Sequence, residues 1–329
     1  RPGGGPVYSV SRRSGVGRDR RSDVTYLVVS LDGGGIRGCF TAQILKRLSE
    51  AAPLFLDRIR LVAGTSTGGI LALGLAAGLT PDQLVALYRD RAGEIFYDTL
   101  LDDLLDLGGL TGADYGSRGL GRVAHETFGA KSLGDLGKRV LISSFDLDAG
   151  SGANRGWKPK FFHNYPGPDS DSHWLARDVA LATSAAPTYF PTYKGFADGG
   201  LVANNPSMCA LAQAVCPKAG KQRLEDVALL SIGTGTRSHF VEGDTLDWGL
   251  VKWAPHLLNV LMDGPSDVAH FQCDRMLGRG RYMRVQVRLA RDIPLDATDA
   301  GPELIELANK VDLGPVLAWL RPHLESATA

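Results

Sequence analysis

The chain has 329 residues, 44% hydrophobic and 22% charged, an ordinary globular composition with room for a large core. Lys+Arg and Asp+Glu both number 36, which excludes a global field for a nucleic acid polymer or an anionic membrane, so any attraction to lipid must be local. The four cysteines show no CxxC spacing, which excludes a disulfide framework and points to reduced thiols of a cytoplasmic protein.

Residues 1–22 hold six arginines and several glycines but no apolar signal core, and read as a flexible basic leader. Residues 23–329 are expected to form one domain, with motif support to about residue 235. Residues 25–31 (TYLVVSL) are apolar and β-rich without alternation, the pattern of a strand buried on both faces. Ile36, Phe40, Ile44 and Leu48 recur at helical spacing up to Pro53. A short strand over 60–63 leads into the turn 64–69, followed by an Ala/Leu-rich helix to Gly78. The apolar stretch 69–79 is about half of a membrane span. Thr80-Pro81 predicts an N-cap and first-turn proline for a helix towards Arg91.

Residues 95–110 mix apolar and acidic side chains and read as a packed amphipathic helix, or as an access lid carrying Leu100, Leu101, Leu104, Leu105 and Leu107. A helix is expected over 120–128, a buried strand over 139–145, and an irregular connection over 146–168 with a short strand at 160–163. A helix over 178–184 stops before Pro187, Phe196-Ala197 leads into Asp198-Gly199-Gly200, Pro206 opens a helix through Val215, and 227–232 forms another buried strand. Alternation of strand, turn and helix predicts an α/β domain, its central, mostly parallel sheet flanked by helices.

Three motifs can carry chemistry. Gly64-Thr65-Ser66-Thr67-Gly68 sits between a strand and a helix, where small neighbours let a sharp turn expose a serine oxygen at a helix N-terminus. Alone the pattern is weak, since ordinary strand-to-helix turns share it. The loop Asp32-Gly33-Gly34-Gly35-Ile36-Arg37-Gly38 lacks bulky side chains and can aim backbone N–H groups at an oxyanion. Gly33, Gly35 and Gly38 also fit a dinucleotide fingerprint, but the acid expected at the end of the second strand is replaced by the serine turn. Asp198-Gly199-Gly200 offers a carboxylate on a glycine turn, a plain loop element unless burial raises its pKa enough for it to act as a base. None of His125, His163, His173, His239, His256, His270 and His323 sits in a small-residue turn after a predicted strand, so Asp198 is the better base for Ser66.

In this order the three motifs closely resemble the patatin-like phospholipase family, as do residues 182–190 (ATSAAPTYF) and 196–206 (FADGGLVANNP). The resemblance implies a single patatin-like domain with Ser66 as nucleophile and Asp198 as its base, without histidine. It implies an oxyanion hole from Gly33, Gly34 and Gly35, with Asp32, Arg37 and Gly38 supporting the loop and Gly64, Gly68, Gly199 and Gly200 shaping the turns. Arg37 is expected to steady the loop through Asp32 or another carboxylate. Calcium-independent hydrolysis of membrane glycerophospholipid esters follows, with no metal and no cofactor. Residues 161–190 are similar to bacterial patatin-like effectors activated by cyclic dinucleotides in antiphage defence, which implies such an activator and a cytoplasmic enzyme peripheral to membrane when active. An esterase for other esters, or a nucleotide-binding regulator using the first glycine loop, are the competing readings.

Overall fold

The computed structural model describes residues 25–96, 118–187, 189–237 and 249–325. Among these the strands are β1 (Tyr26–Leu31), β2 (Ile59–Thr65), β3 (Arg139–Ala149), β4 (Gly156–His163), β5 (Phe196–Asp198), β6 (Val227–Ile232) and β7 (Tyr282–Val285). Helices α1 (Gly38–Ala51), α2 (Phe55–Arg58), α3 (Thr67–Ala76), α4 (Pro81–Phe96), α5 (Arg118–Phe128) and α6 (Ala176–Thr183) come first. They are followed by α7 (Gly200–Ala203), α8 (Ser207–Val215), α9 (Leu250–Leu277), α10 (Gly301–Lys310) and α11 (Gly314–Glu325).

One sheet runs in the order β4-β3-β2-β1-β6-β7, with β5 also pairing β3. The pairs β1–β2, β1–β6, β2–β3 and β6–β7 are parallel, while β4 and β5 run antiparallel to β3. The apolar runs read as strands are buried on both faces: Leu27, Val29 and Leu31 join one core, and Val28 joins the other with Leu61, Ala63 and Leu229. Helices α1, α3, α4, α5, α6, α10 and α11 supply side chains to the first core, and α8 with the end of α9 to the second. Thr80 and Gln83 exchange backbone-to-side-chain hydrogen bonds of 2.9 and 3.2 Å at the start of α4, the capping pair its sequence suggests.

Two expectations change. The connection 146–168 is an extended hairpin of β3 and β4 rather than irregular chain. Beyond residue 235, where no motif guided the reading, β7 adds a parallel strand beside β6, with α9 before it and α10 and α11 after it among the described residues. Leu31 lies level with Gly64 on one side and Ile232 on the other, so the loops after β1, β2 and β6 emerge together. The sheet grows outward from β1 in both directions, and ligands bind open α/β sheets at the carboxyl ends of strands beside such a reversal.

Candidate active site

Ser66 is the single residue between β2 and α3, with φ 53° and ψ −123°. A side chain with a Cβ is strained there, and such strain persists only where the surroundings fix it. They do. Ser66 N–H donates to Thr183 Oγ1 at 2.9 Å, and that hydroxyl donates to the Ser143 carbonyl at 2.6 Å. Thr65 Oγ1 donates to the Ala203 carbonyl at 2.5 Å and lies 2.5 Å from Ser143 Oγ. The glycine spacing is a packing requirement: a Cβ on Gly64 would meet the Gly68 carbonyl oxygen at 2.1 Å, and one on Gly68 the Leu31 carbonyl oxygen at 2.2 Å.

Asp198 ends β5 directly opposite Ser144 of β3, and its N–H donates to the Ala185 carbonyl at 2.9 Å. Only 4% of it is exposed, and its Oδ1 accepts the Gly200 N–H at 2.6 Å. Ser66 and Asp198 line the same cleft, and the Ser66 hydroxyl is one of the groups that act on the Asp198 carboxyl. Burial pushes the Asp198 carboxyl up to about 6, against the pull of the Gly200 N–H and the Ser66 hydroxyl. The group is therefore ionised at neutral pH yet basic enough to take a proton. Of the histidines with described side chains (His125, His163, His173, His270 and His323), none lines the cleft above Ser66.

The first glycine loop runs beside this pair, but its three glycines are not equivalent. Gly33 N–H is given to the Asn204 carbonyl at 3.0 Å, so Gly33 leaves the set of oxyanion donors. Gly34 and Gly35 line the cleft with Ser66, and among the described residues no backbone acceptor takes their N–H groups. Gly35 needs to be glycine twice over, at φ 56° and with the Leu295 carbonyl oxygen 2.2 Å from a would-be Cβ. A second correction concerns the loop's support. Asp32 pairs not with Arg37 but with Arg284 of β7 at 2.6 Å, and Arg284 also donates to Ser231 Oγ at 2.6 Å. Burial pushes the Asp32 carboxyl up while the Arg284 guanidinium pulls it back. Arg37 instead donates to the Gly34 carbonyl at 3.2 Å. At Gly38, where a Cβ would meet Thr67 Oγ1, α1 packs directly on the start of α3. A dinucleotide fingerprint needs these N–H groups free for a pyrophosphate; here Gly33 is engaged and Ile36 N–H donates to the Leu295 carbonyl at 2.7 Å.

Above Ser66 lies a mostly apolar cleft, walled by residues such as Ile70, Tyr88, Leu120, Phe190, Met262 and Leu295. A small apolar cavity of about 10 Å³ between α4 and α5 shares Ile70, Tyr88, Ile95 and Leu120 with it. Ser184 also lines the cleft, and its buried hydroxyl has no partner among the described residues. Ser184 stands inside the 182–190 stretch and was legible as part of a motif, whereas Met262, Arg284 and Leu295 had no sequence signal. Leu100, Leu101, Leu104, Leu105 and Leu107, expected on a lid, lie outside the described residues. Among the described residues no group of three His, Cys, Asp or Glu side chains could hold a metal ion.

A serine on a strained elbow and a buried carboxylate line one apolar cleft at the carboxyl ends of a mostly parallel sheet, the arrangement of a serine hydrolase that acts on lipid. The family model described as "Patatin-like phospholipase" matches residues 29–211, which include all three motifs. The chain belongs to the patatin-like phospholipase family. It is 36% identical over 267 residues to the cGAMP-activated phospholipase of Pseudomonas aeruginosa, covering 78% of this chain and 77% of that protein. It is 30% identical over 331 residues to Protein teg of Priestia megaterium, covering 90% and 98%. The calcium-independent phospholipase A2-gamma of Oryctolagus cuniculus is 28% identical over 286 residues, 82% of this chain and 35% of that protein.

Proposed function

We propose that the chain is a phospholipase A-type hydrolase that cleaves glycerophospholipid acyl esters through Ser66 and Asp198 and a covalent acyl-enzyme. Asp198 takes the Ser66 proton as Oγ attacks the ester carbonyl, and the N–H groups of Gly34 and Gly35 hold the oxyanion. Collapse of that intermediate breaks the ester bond, and Asp198 returns its proton to the departing lysolipid alcohol. A water molecule, deprotonated by Asp198, then attacks the acyl carbonyl and releases fatty acid and free Ser66.

The observation that carries this reading is that Ser66, on its strained elbow, shares an apolar cleft with a buried Asp198 whose pKa is raised to about 6. The apolar lining of the cleft itself, with Ile70, Tyr88, Ile95, Leu120 and Phe190, supports an acyl chain as the group bound. No step needs a metal, so activity is calcium-independent, as the name of the Oryctolagus relative supports. Among the described residues no helix is long and apolar enough to cross a membrane, in keeping with a cytoplasmic enzyme that meets lipid from the surface. The name of the Pseudomonas relative supports a cyclic dinucleotide as activator and, with it, a part in antiphage defence. Lipid hydrolysis profiled by mass spectrometry, wild type beside Ser66→Ala with EDTA present, tests the reading. Lysolipid and fatty acid from wild type alone are expected; turnover of simple esters without any phospholipid product would make the chain a general esterase instead.

A further inference from the structure

At the opposite end of the sheet, the starts of β1, β2 and β3 and the neighbouring loops enclose an open polar cleft of about 1100 Å³. Arg60, Lys138 and Arg139 line it, with Asp57 as the one carboxylate in its wall. Among the described residues none of these three cations forms a salt bridge, although the chain's total charges balance at 36 and 36. Lys138 Nζ donates to the Leu56 carbonyl at 2.7 Å and Arg139 Nη1 to the Asn164 carbonyl at 2.6 Å, both neutral partners. Arg60 is exposed and has no hydrogen-bond partner among the described residues. Unpaired like charges gathered in one concavity repel each other, and an anion seated among them removes that repulsion. Burial lowers the Lys138 pKa, Asp57 raises it and the Arg60 charge lowers it again, so the one carboxylate in the wall offsets part of the crowding.

Aromatic side chains stand beside the cations. Arg139 lies over the Tyr165 ring, 5.5 Å from its centroid, and the Tyr26 and Tyr165 hydroxyls meet at 2.6 Å. This pair fixes one wall and holds a guanidinium plane in position, a surface suited to phosphate with an attached base. We infer that this cleft binds a phosphate-bearing ligand, and that Arg60, Lys138 and Arg139 are its anion contacts. The choice of a cyclic dinucleotide as that ligand rests on the activator reading above. Arg60 precedes Ser66 by six residues on β2, which places the two roughly 20 Å apart at strand spacing, so the ligand does not compete with substrate. It acts as an effector at a separate site.

Calorimetric titration of the full chain with cyclic GMP–AMP, cyclic di-AMP and inorganic pyrophosphate tests this, using wild type, Arg60→Ala, Arg60→Glu and Ser66→Ala. A dinucleotide is expected to bind wild type and Ser66→Ala equally, with affinity about tenfold weaker in Arg60→Ala and weaker still in Arg60→Glu. Because Arg60 is exposed, both substitutions leave the core untouched, and their melting temperatures verify it. Unchanged affinity in both Arg60 variants overturns the site. So does the failure of every probe to bind wild type. Pyrophosphate binding alone, lost in the same variants, keeps the anion site and overturns the dinucleotide reading. Hydrolysis retained by Ser66→Ala overturns the nucleophile assignment without touching this cleft.

Discussion

Residues 25–235 and residues 249–325 serve the same site in different ways. The first region carries the groups that react in the proposed mechanism, each on a short segment: Ser66 on its elbow, Asp198 at the end of β5, and Gly34 and Gly35 in one loop. The second carries the groups that hold and roof them, each through a contact far away in sequence. Arg284 clamps Asp32 at the base of the glycine loop, the Leu295 carbonyl fixes Ile36, and Met262 closes the cleft. Chemistry of this kind needs a local turn and so leaves a motif. Positioning needs only an arm that reaches, and it leaves none.

Substitutions sharpen that contrast. Asp198→Asn acts on the reacting region and is expected to lower kcat by on the order of 10³ to 10⁴ while leaving the fold intact. In wild type, activity should fall as pH drops through about 6, where Asp198 takes up its proton, and that limb should disappear from the residual activity of the variant. Steady-state kinetics from pH 5 to pH 8 decide it; a mild loss would return the role of base to a histidine. Arg284→Ala acts on the supporting region and is expected to leave Asp32 buried and unpaired, at about 3–5 kcal/mol of stability. Denaturant unfolding measures that change, and wild-type stability in the variant would break the division drawn between the two regions.

Asp198 also opposes folding. Its folded pKa of about 6 lies above the ordinary 3.8, so the native state holds this proton more tightly than the unfolded chain. Its contribution is therefore greatest below about pH 4, declines as pH rises towards 6 and is gone above that. Asp198→Asn should accordingly raise stability at pH 7–8 by up to about 3 kcal/mol and give no such gain at pH 4, as melting curves at both values would reveal. The smallest effect is expected at the shared wall of the two apolar cavities. Leu120→Trp should shift preference towards shorter acyl esters by a few-fold in kcat/KM, measured over a chain-length series of chromogenic esters.

The same contrast explains what the sequence disclosed. β1 and β6 were legible because burial on both faces makes each a continuous apolar run. β7 was not: four residues long, it carries Arg284 in place of an apolar side chain. Helix α9 contains Pro255, Gly264 and Pro265, residues that read as helix breakers although the helix continues through them. Within the site, Ser66 and Asp198 could be singled out only through the three motifs in combination and their resemblance to a family, since each turn alone is weak. That Gly33 surrenders its N–H to Asn204 could not, because the two are joined only by the fold of β1 against α7's end. For the same reason Arg284 could not be named as the partner of Asp32, although Arg37, expected to steady the loop through Asp32 or another carboxylate, does bond it at the Gly34 carbonyl.

The pairing of Ser66 with Asp198 is tested most directly by fluorophosphonate labelling followed by peptide mass spectrometry. One adduct is expected, on Ser66, absent from Ser66→Ala and formed far more slowly in Asp198→Asn. Undiminished labelling of Ser66→Ala, or an adduct on another serine of the wild type, would contradict it.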